Sequence, residues 1–357
     1  MSGVAGVAPG ALTRLIADSS GLKARLATLS AQAADGRRGD LYGDIGTGAS
    51  RAISLRGEVA RREAQSAALD RALARTGAGQ DAMRRLSTIA ENFFAEAQKV
   101  TTADPARIGV VAADARSALK EVAGLLNTRH AGEYVFGGAD SANPPVTEDL
   151  MGSGLAAAIG AAVAGLGGGN AASVLATTKA ASQSDAAGTT PFSAYLSDPA
   201  RGLTEPRRTT VADDGMEIPT GLFANRNAAA ASTGETTGSW SRDLLRGLMT
   251  LASLDPSQAD VGPDLDSLMQ GVRAGLRAAA GGLASEEGAL GMAENRLEAM
   301  RSRHADLAAT LQDQLGDIEQ VDMVTTLTAL QDTKTRLEAS WKALSMLSGL
   351  SLAGFLR

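Results

Sequence analysis

Residues 290–347 read LGMAENRLEAMRSRHADLAATLQDQLGDIEQVDMVTTLTALQDTKTRLEASWKALSML. Leu290, Ala293, Leu297, Met300, His304, Leu307 and Leu311 follow one another at intervals of three and four. That is the spacing of one face of a helix wound on a partner. Leu315, Ile318, Val321, Val324, Leu327, Leu330, Leu337, Trp341, Leu344 and Leu347 carry the stripe to within ten residues of the end, and no proline interrupts it. One continuous helix from Leu283 to Met346 would extend about 95 Å at 1.5 Å per residue. A helix of that length cannot hide an apolar stripe on its own. The stripe must find a partner, in the same chain or in a neighbour.

The other end of the chain offers one. Leu22, Leu26, Leu29 and Ala33 mark one face of a first helix, which stops in the glycine-rich segment Gly36 to Gly48. A long helical run opens at Ser50 and carries Ile53, Leu55, Val59, Leu69, Leu73, Met83, Leu86, Ile89, Phe93 and Val100. Gly77 and Gly79 weaken it, each by about 1 kcal/mol relative to alanine. Asp104 and Pro105 predict a break with a fresh N-cap, because proline is tolerated in a first helical turn. The next helix carries Ile108, Val111, Ala115, Leu119, Val122 and Leu126, and the stretch Glu133 to Gly138 reads as a short strand and turn.

Composition changes after Pro144 and Pro145. Residues 146–240 hold most of the Gly, Ser and Thr clusters, with weak helices predicted over Leu155–Leu166 and Ala171–Ala187. Asp213, Asp214 and Gly215 sit between β-prone runs, a hairpin signal. Helical pattern returns at Trp240, is interrupted near Pro256 and Pro263, and then runs on. The chain is therefore expected to be mainly α: a long antiparallel bundle or coiled coil of the N- and C-terminal segments, with an irregular α+β central insertion. The expected division is an N-terminal assembly segment (1–49), two halves of a helical core (50–145 and 241–320), a variable outward-facing domain (146–240) and a C-terminal assembly segment (321–357).

The formal net charge of −6 over 357 residues argues against sequence-independent nucleic-acid binding, which needs a cationic surface. Aromatic residues make up only 3%, which fits thin helical packing better than a large core. There is no cysteine, so disulfides, thiolate catalysis and sulfur-ligated zinc are excluded. The first ten residues show no basic segment followed by an apolar one, and no secretory signal peptide is read there. Residues 151–178 contain no charged residue, yet are too rich in Gly, Ala, Ser and Thr to favour lipid, so no membrane partner is expected.

Little here resembles catalytic chemistry. The two histidines, His130 and His304, belong to different segments and have no local metal spacing. His304 lies on the stripe, where a packed histidine is the ordinary reading; His130 lies at a helix C-terminus, where a cation suits the dipole. The loop Gly43 to Gly48 lacks the Gly-Lys-Ser/Thr ending and the preceding strand of a phosphate cradle. The acidic pairs Asp213/Asp214 and Glu286/Glu287 occupy a turn and a helix, where acids are commonplace. No nucleophile, base and orienter assemble, so no enzyme, metal or cofactor is expected.

Read end to end, the residues resemble the bacterial flagellin superfamily, and within it the family of hook-associated protein 3, which joins hook to filament. The resemblance rests on Ile318-Glu-Gln-Val-Asp322-Met, on Leu330-Gln-Asp-Thr-Lys-Thr-Arg-Leu337-Glu-Ala-Ser340, and on the ending Leu350-Ser-Leu352-Ala-Gly-Phe355-Leu-Arg357. On the N-terminal side it rests on Leu125-Leu-Asn127 and on Gly132-Glu-Tyr134-Val-Phe136-Gly-Gly-Ala-Asp140, followed by Pro144 and Pro145. It covers residues 20–145 and 240–357. The sequence departs from the pattern over Gly39–Ser50, where most relatives carry a Pro- and Asp-rich element that helps lock neighbouring subunits.

The resemblance implies a flagellar structural subunit, exported unfolded without a cleaved signal peptide and located outside the cell. Its terminal segments would be mobile when free and would polymerise with self and with other axial proteins, the hook-associated proteins and flagellin. An export chaperone on the C-terminal helix would be a further partner. The residues expected at the assembly interface are Leu22, Leu26, Leu29, Ile318, Val321, Val324, Leu327, Leu330, Leu337, Trp341, Leu344, Leu347, Leu352 and Phe355. A filament flagellin of the same superfamily is the nearest alternative, and a cytoplasmic coiled-coil adaptor or chaperone a more distant one.

Overall fold

The computed structural model describes residues 9–39, 46–227 and 232–355, with side chains from 13 to 346 within those ranges. The protein is mainly α. In chain order the elements are α1 (Pro9–Asp35), α2 (Ala49–Lys99), α3 (Pro105–Leu126), β1 (Arg129–His130), β2 (Glu133–Tyr134), α4 (Gly154–Ala164), α5 (Ala171–Gln183), β3 (Thr209–Asp213), β4 (Met216–Pro219), α6 (Trp240–Ala252), α7 (Pro263–Glu319) and α8 (Met323–Phe355). Short 3₁₀ turns at Gly46–Gly48 and Pro256–Val261 lead into α2 and α7. The chain divides into two compact units, Met1–Ala64 with His304–Arg357, and Gln65–Arg303.

Local chemistry accounts for most element boundaries. The Asp104 side chain accepts the Arg107 N–H, and Pro105 opens α3 behind it, as the sequence predicts. The Ser153 hydroxyl accepts the Ala156 N–H at the start of α4. Ala131 (φ 50°) and Gly132 (φ 87°) turn β1 into β2, a two-residue hairpin loop with both residues left-handed. The second hairpin pairs Thr210 with Ile218 and Asp213 with Met216, with a bulge between Val211 and Asp213 and Gly215 left-handed in the turn (φ 74°).

The Gln65–Arg303 unit holds the large core. Within it α2 and α7 run antiparallel: Arg301 reaches Asp70 (3.1 Å), Gln80 donates to the Glu287 carbonyl (2.9 Å), and Arg273 donates to the Ala97 carbonyl (3.2 Å). The apolar residues of the middle region do not form a core of their own. Leu155, Ile159, Val163, Phe192, Leu196 and Phe223 join one cluster with Leu86, Leu119, Leu248 and Leu276. The hairpin of β3 and β4 packs Ala212 and Ile218 beside Leu69 and Leu297 in a smaller cluster.

Helix α6 is buried on every side, its charged residues included. Arg242 donates to the carbonyls of Asn225 (3.0 Å) and Ser182 (2.8 Å) and pairs with Asp185 (2.5 Å). Arg246 donates to the carbonyls of Leu175 and Glu235 and to the Thr178 hydroxyl. Asp243 accepts from the Thr237 backbone and from the hydroxyls of Thr236 and Thr237. Desolvation raises the Asp243 pKa, and those hydrogen bonds oppose the rise. The irregular segments of the middle are thus tied to one helix by groups that would be costly to bury unpaired.

The glycines of α2 differ in kind. Helix α2 runs through Gly77 and Gly79 without a break. A Cβ at Gly77 would meet nothing within 4 Å, whereas one at Gly79 would stand 2.7 Å from Leu222 Cδ1 and 3.3 Å from Val135 Cγ1. Gly77→Ala should therefore raise stability by about 0.5–1 kcal/mol through helix propensity. Gly79→Ala should lower it, because overpacking costs about 1–3 kcal/mol and outweighs the same gain. Thermal unfolding of the two variants measures the difference; equal shifts would show that Gly79 is not a packing glycine.

Candidate assembly interface

The smaller unit contains α1, the start of α2, the end of α7 and α8. Within it α2 and α7 keep their antiparallel pairing: Arg56 pairs with Glu319 (2.7 Å) and Gln312 donates to Glu63 (2.9 Å). His304 is fully buried there, with Nδ1 lying 3.4 Å from Arg62, whose guanidinium also pairs with Glu58 (2.7 Å). The packed histidine expected on the stripe is what the fold contains. Leu311 is only half-buried and Leu307 is 37% exposed, so the covered seam passes through His304 and Ala308 instead.

The stripe does not continue as one helix. Helix α7 ends at Glu319 and α8 begins at Met323, which corrects the expectation of a single rod from Leu283 to Met346. The break is held by the segment after α1. Gly36 (φ 68°) ends α1 in the left-handed conformation, its N–H bonded to the Gln32 carbonyl (2.9 Å). Arg37 then bridges Gln320 in antiparallel fashion: Arg38 N donates to the Glu319 carbonyl (2.8 Å) and Val321 N to the Gly36 carbonyl (3.0 Å). The Arg38 guanidinium donates to the carbonyls of Gln320 (3.0 Å) and Asp317 (3.1 Å). Carbonyls left open where α7 ends are thereby satisfied.

Asp322 restarts the helix. Its carboxylate accepts the N–H groups of Val324 (2.9 Å) and Thr325 (3.2 Å) and the Thr325 hydroxyl (3.0 Å), the geometry of an N-cap. The Thr325 backbone and hydroxyl bonds, then the Val324 bond, hold its pKa below the ordinary value. The aspartate of the Ile318–Met323 motif is a helix cap. The apolar spacing continues across the break and masks it; Gly316 and the Asp322-x-x-Thr325 order are the signals that mark it.

Helix α8 packs against α1. On α1, Ser19 is buried and Leu15, Leu22, Leu26 and Leu29 are half-buried, a three-four series. On α8, Thr326, Thr333 and Leu337 are buried and Ala329, Leu330, Ser340 and Leu344 half-buried, a matching series. Val324 (76% exposed), Leu327 (51%) and Trp341 (54%) form a second row that the α1 seam leaves uncovered. The residues read as one stripe thus divide between two faces. Ile318 and Val321 are half-buried at the break, while the side chains of Leu347, Leu352 and Phe355 lie outside the described residues. Ile16 and Ile53 in the same unit are also more than half exposed. Nothing in the apolar pattern marks the clasp made by Arg38. Of the Gly43–Gly48 loop, residues 43–45 lie outside the described residues.

Fold and exposed faces together define a class: a mainly α protein whose first and last helices pair with each other and leave an apolar row uncovered. Residues 275–356 match the family described as bacterial flagellin C-terminal helical region. The match spans most of α7, the break and α8, and it supports the resemblance to the flagellin superfamily. No curated protein matches the chain. Among the described residues, no helix is long and apolar enough to cross a membrane.

Two outcomes follow. Leu337→Ala should destabilise the pairing of α1 and α8 by about 2–5 kcal/mol, read as earlier melting of this unit. Asp322→Ala should lower helix content at the start of α8, whereas Asp322→Asn keeps a capping oxygen and should lose less. Because the folded Asp322 pKa lies below its unfolded value, the cap stabilises fully above the ordinary carboxylate range. Its contribution is lost as pH falls through the lowered value, below about pH 4. Amide exchange of Val324 and Thr325 across that range measures it; exchange in wild type as fast as in Asp322→Ala at neutral pH would contradict the cap.

Proposed function

We propose that the protein is a structural subunit of the bacterial flagellum that polymerises through its terminal helices, and that its place is the junction between hook and filament. The observation that carries this reading is the row Val324, Leu327 and Trp341 on a helix whose other face is already paired. A row of large apolar side chains in water is a surface awaiting a partner. The flagellin-type match over residues 275–356 includes this row and supplies the kind of assembly. The sequence Gly132–Pro145 and the ending Leu350–Arg357 are what favour the junction over the filament. The description of the matched family, bacterial flagellin, favours a filament subunit as the second reading.

In this reading the smaller unit joins with the smaller units of neighbouring subunits, and residues 146–240 lie toward the outside. Every leucine in the seam of α1 and α8 except Leu337 is only half-buried, and its other buried residues are Ser19, Thr326 and Thr333, so it buries little apolar area per turn. Such a pair gains further stability on incorporation, when the outer row is covered as well. The protein works outside the cell, after export, with copies of itself and other axial proteins as partners. The same uncovered row would be the place for an export chaperone beforehand.

Immunogold labelling of purified flagella tests the placement. A short band at the hook–filament boundary is expected, and label along the whole filament would assign the protein to the filament instead. Replacing Leu327 and Trp341 together by alanine should shift the melting of the free subunit by less than about 1 kcal/mol, because both are exposed. The same variant should fail to incorporate. Normal incorporation and motility would remove the outer row from the interface.

A further inference from the structure

The Gln65–Arg303 unit contains a cavity of about 400 Å³ that the assembly reading leaves unused. Helix α2 supplies Arg71 and Arg75 one turn apart, the first hairpin supplies His130 and Glu133, and the second supplies Arg208. The charges do not balance. Arg75 (2.7 Å) and Arg208 (3.0 Å) both donate to Oε2 of Glu133, so one carboxylate oxygen serves two guanidinium groups. Arg75 also donates to the Tyr134 carbonyl (2.8 Å) and is largely buried, its side chain 15% exposed. Among the described residues, Arg71 has neither a hydrogen-bond nor an ion-pair partner. Three guanidinium groups thus line a concave site with a single carboxylate.

Two further features suit the site to a ligand. Burial, and then the charge of Arg208, lower the Arg75 pKa, and Glu133 only partly offsets them. A second anion would relieve that repulsion. The wall opposite α2 presents hydroxyls: Thr210 and Thr220 lie 3.0 Å apart, and whichever accepts from the other keeps its own proton to donate. The imidazole of His130 stands in the same wall as a further polar group.

We propose that this cavity binds a small oxyanion, a carboxylate or phosphate on a body the size of a monosaccharide, with Arg71 and Arg208 taking the charge and the threonine wall taking hydroxyls. Guanidinium groups hold carboxylate and phosphate oxygens in paired, directional bonds, and a cavity of this volume accommodates one sugar ring. Arg71 is the informative position because removing it breaks no hydrogen bond or ion pair among the described residues. The site is independent of the flagellar reading, since it lies on neither α1 nor α8.

Isothermal titration of the purified full-length protein with inorganic phosphate, D-glucuronate and D-glucose tests the proposal. Saturable binding of phosphate or glucuronate is expected, weakening as salt rises, with glucose binding at least tenfold more weakly. Binding of glucuronate alone would assign the ligand as an acidic sugar, and of phosphate alone as a phosphoryl compound; both agree with the proposal. Arg71→Ala, confirmed folded by circular dichroism, should weaken anion binding by about tenfold or more. Amide shifts should move at Ala68, Ala131 and Thr220. No saturable binding by either anion, equal binding of glucose, or binding unchanged in Arg71→Ala would overturn it.

Discussion

An amphipathic terminal helix in water must be covered, and in this chain the covering comes from the opposite terminus. Helix α8 carries apolar side chains around more than half of its circumference, yet α1 covers only one face. Everything distinctive about the smaller unit follows from that inequality. The Arg37–Gln320 bridge and the Arg38 guanidinium fix the chain after α1 to the end of α7, so α1 and α8 leave adjacent points and can lie together. Asp322 then starts α8 afresh, free of the register of α7. The seam is lined with leucines, most of them only half-buried, interspersed with Ser, Thr and Ala, which suits modest stability. The outer row stays in solvent.

The larger unit meets a different constraint. Its middle segments are too poor in large apolar residues to form a core unaided, and they solve this by joining the core of the long helices. Helix α6 is the hub of that arrangement. Its leucines enter the common core, while Arg242, Asp243 and Arg246 bind carbonyls, hydroxyls and carboxylates of the surrounding loops. Charged groups so placed specify which loop lies where, since any other arrangement would leave them buried and unpaired. The cavity lined by Arg71, Arg75 and Arg208 is the exception, a place in the same unit where cations remain in excess.

How much of this the sequence reveals depends on the range of the interaction involved. The helices of α2, α3, α7 and α8, the Asp104–Pro105 cap and the Asp213–Gly215 hairpin rest on contacts within a few residues, and local pattern announces them. The break at 320–322 was hidden because Leu315, Ile318, Val321 and Val324 keep helical spacing across it. The stabilising partner, Arg38, lies some 280 residues away along the chain, where no local rule reaches. Likewise the apolar residues of α8 carry no mark that separates Leu330 and Leu337 from Leu327 and Trp341 until α1 is in place. The burial of α6 was equally illegible, because Arg-Asp at positions 242 and 243 reads as a solvated face.

The two-faced character of α8 admits a direct measurement, and the absence of native cysteine makes it clean. Single variants Val324→Cys, Trp341→Cys and Leu337→Cys can be labelled with a thiol reagent, first as free subunits and then after incorporation into flagella. The account predicts rapid labelling of Val324→Cys and Trp341→Cys and slow labelling of Leu337→Cys in the free subunit, with all three protected in the assembly. Equal labelling of the three in the free subunit would show that α1 does not cover α8. Continued labelling of the Val324 and Trp341 variants in the assembly would show that the outer row is not where subunits meet.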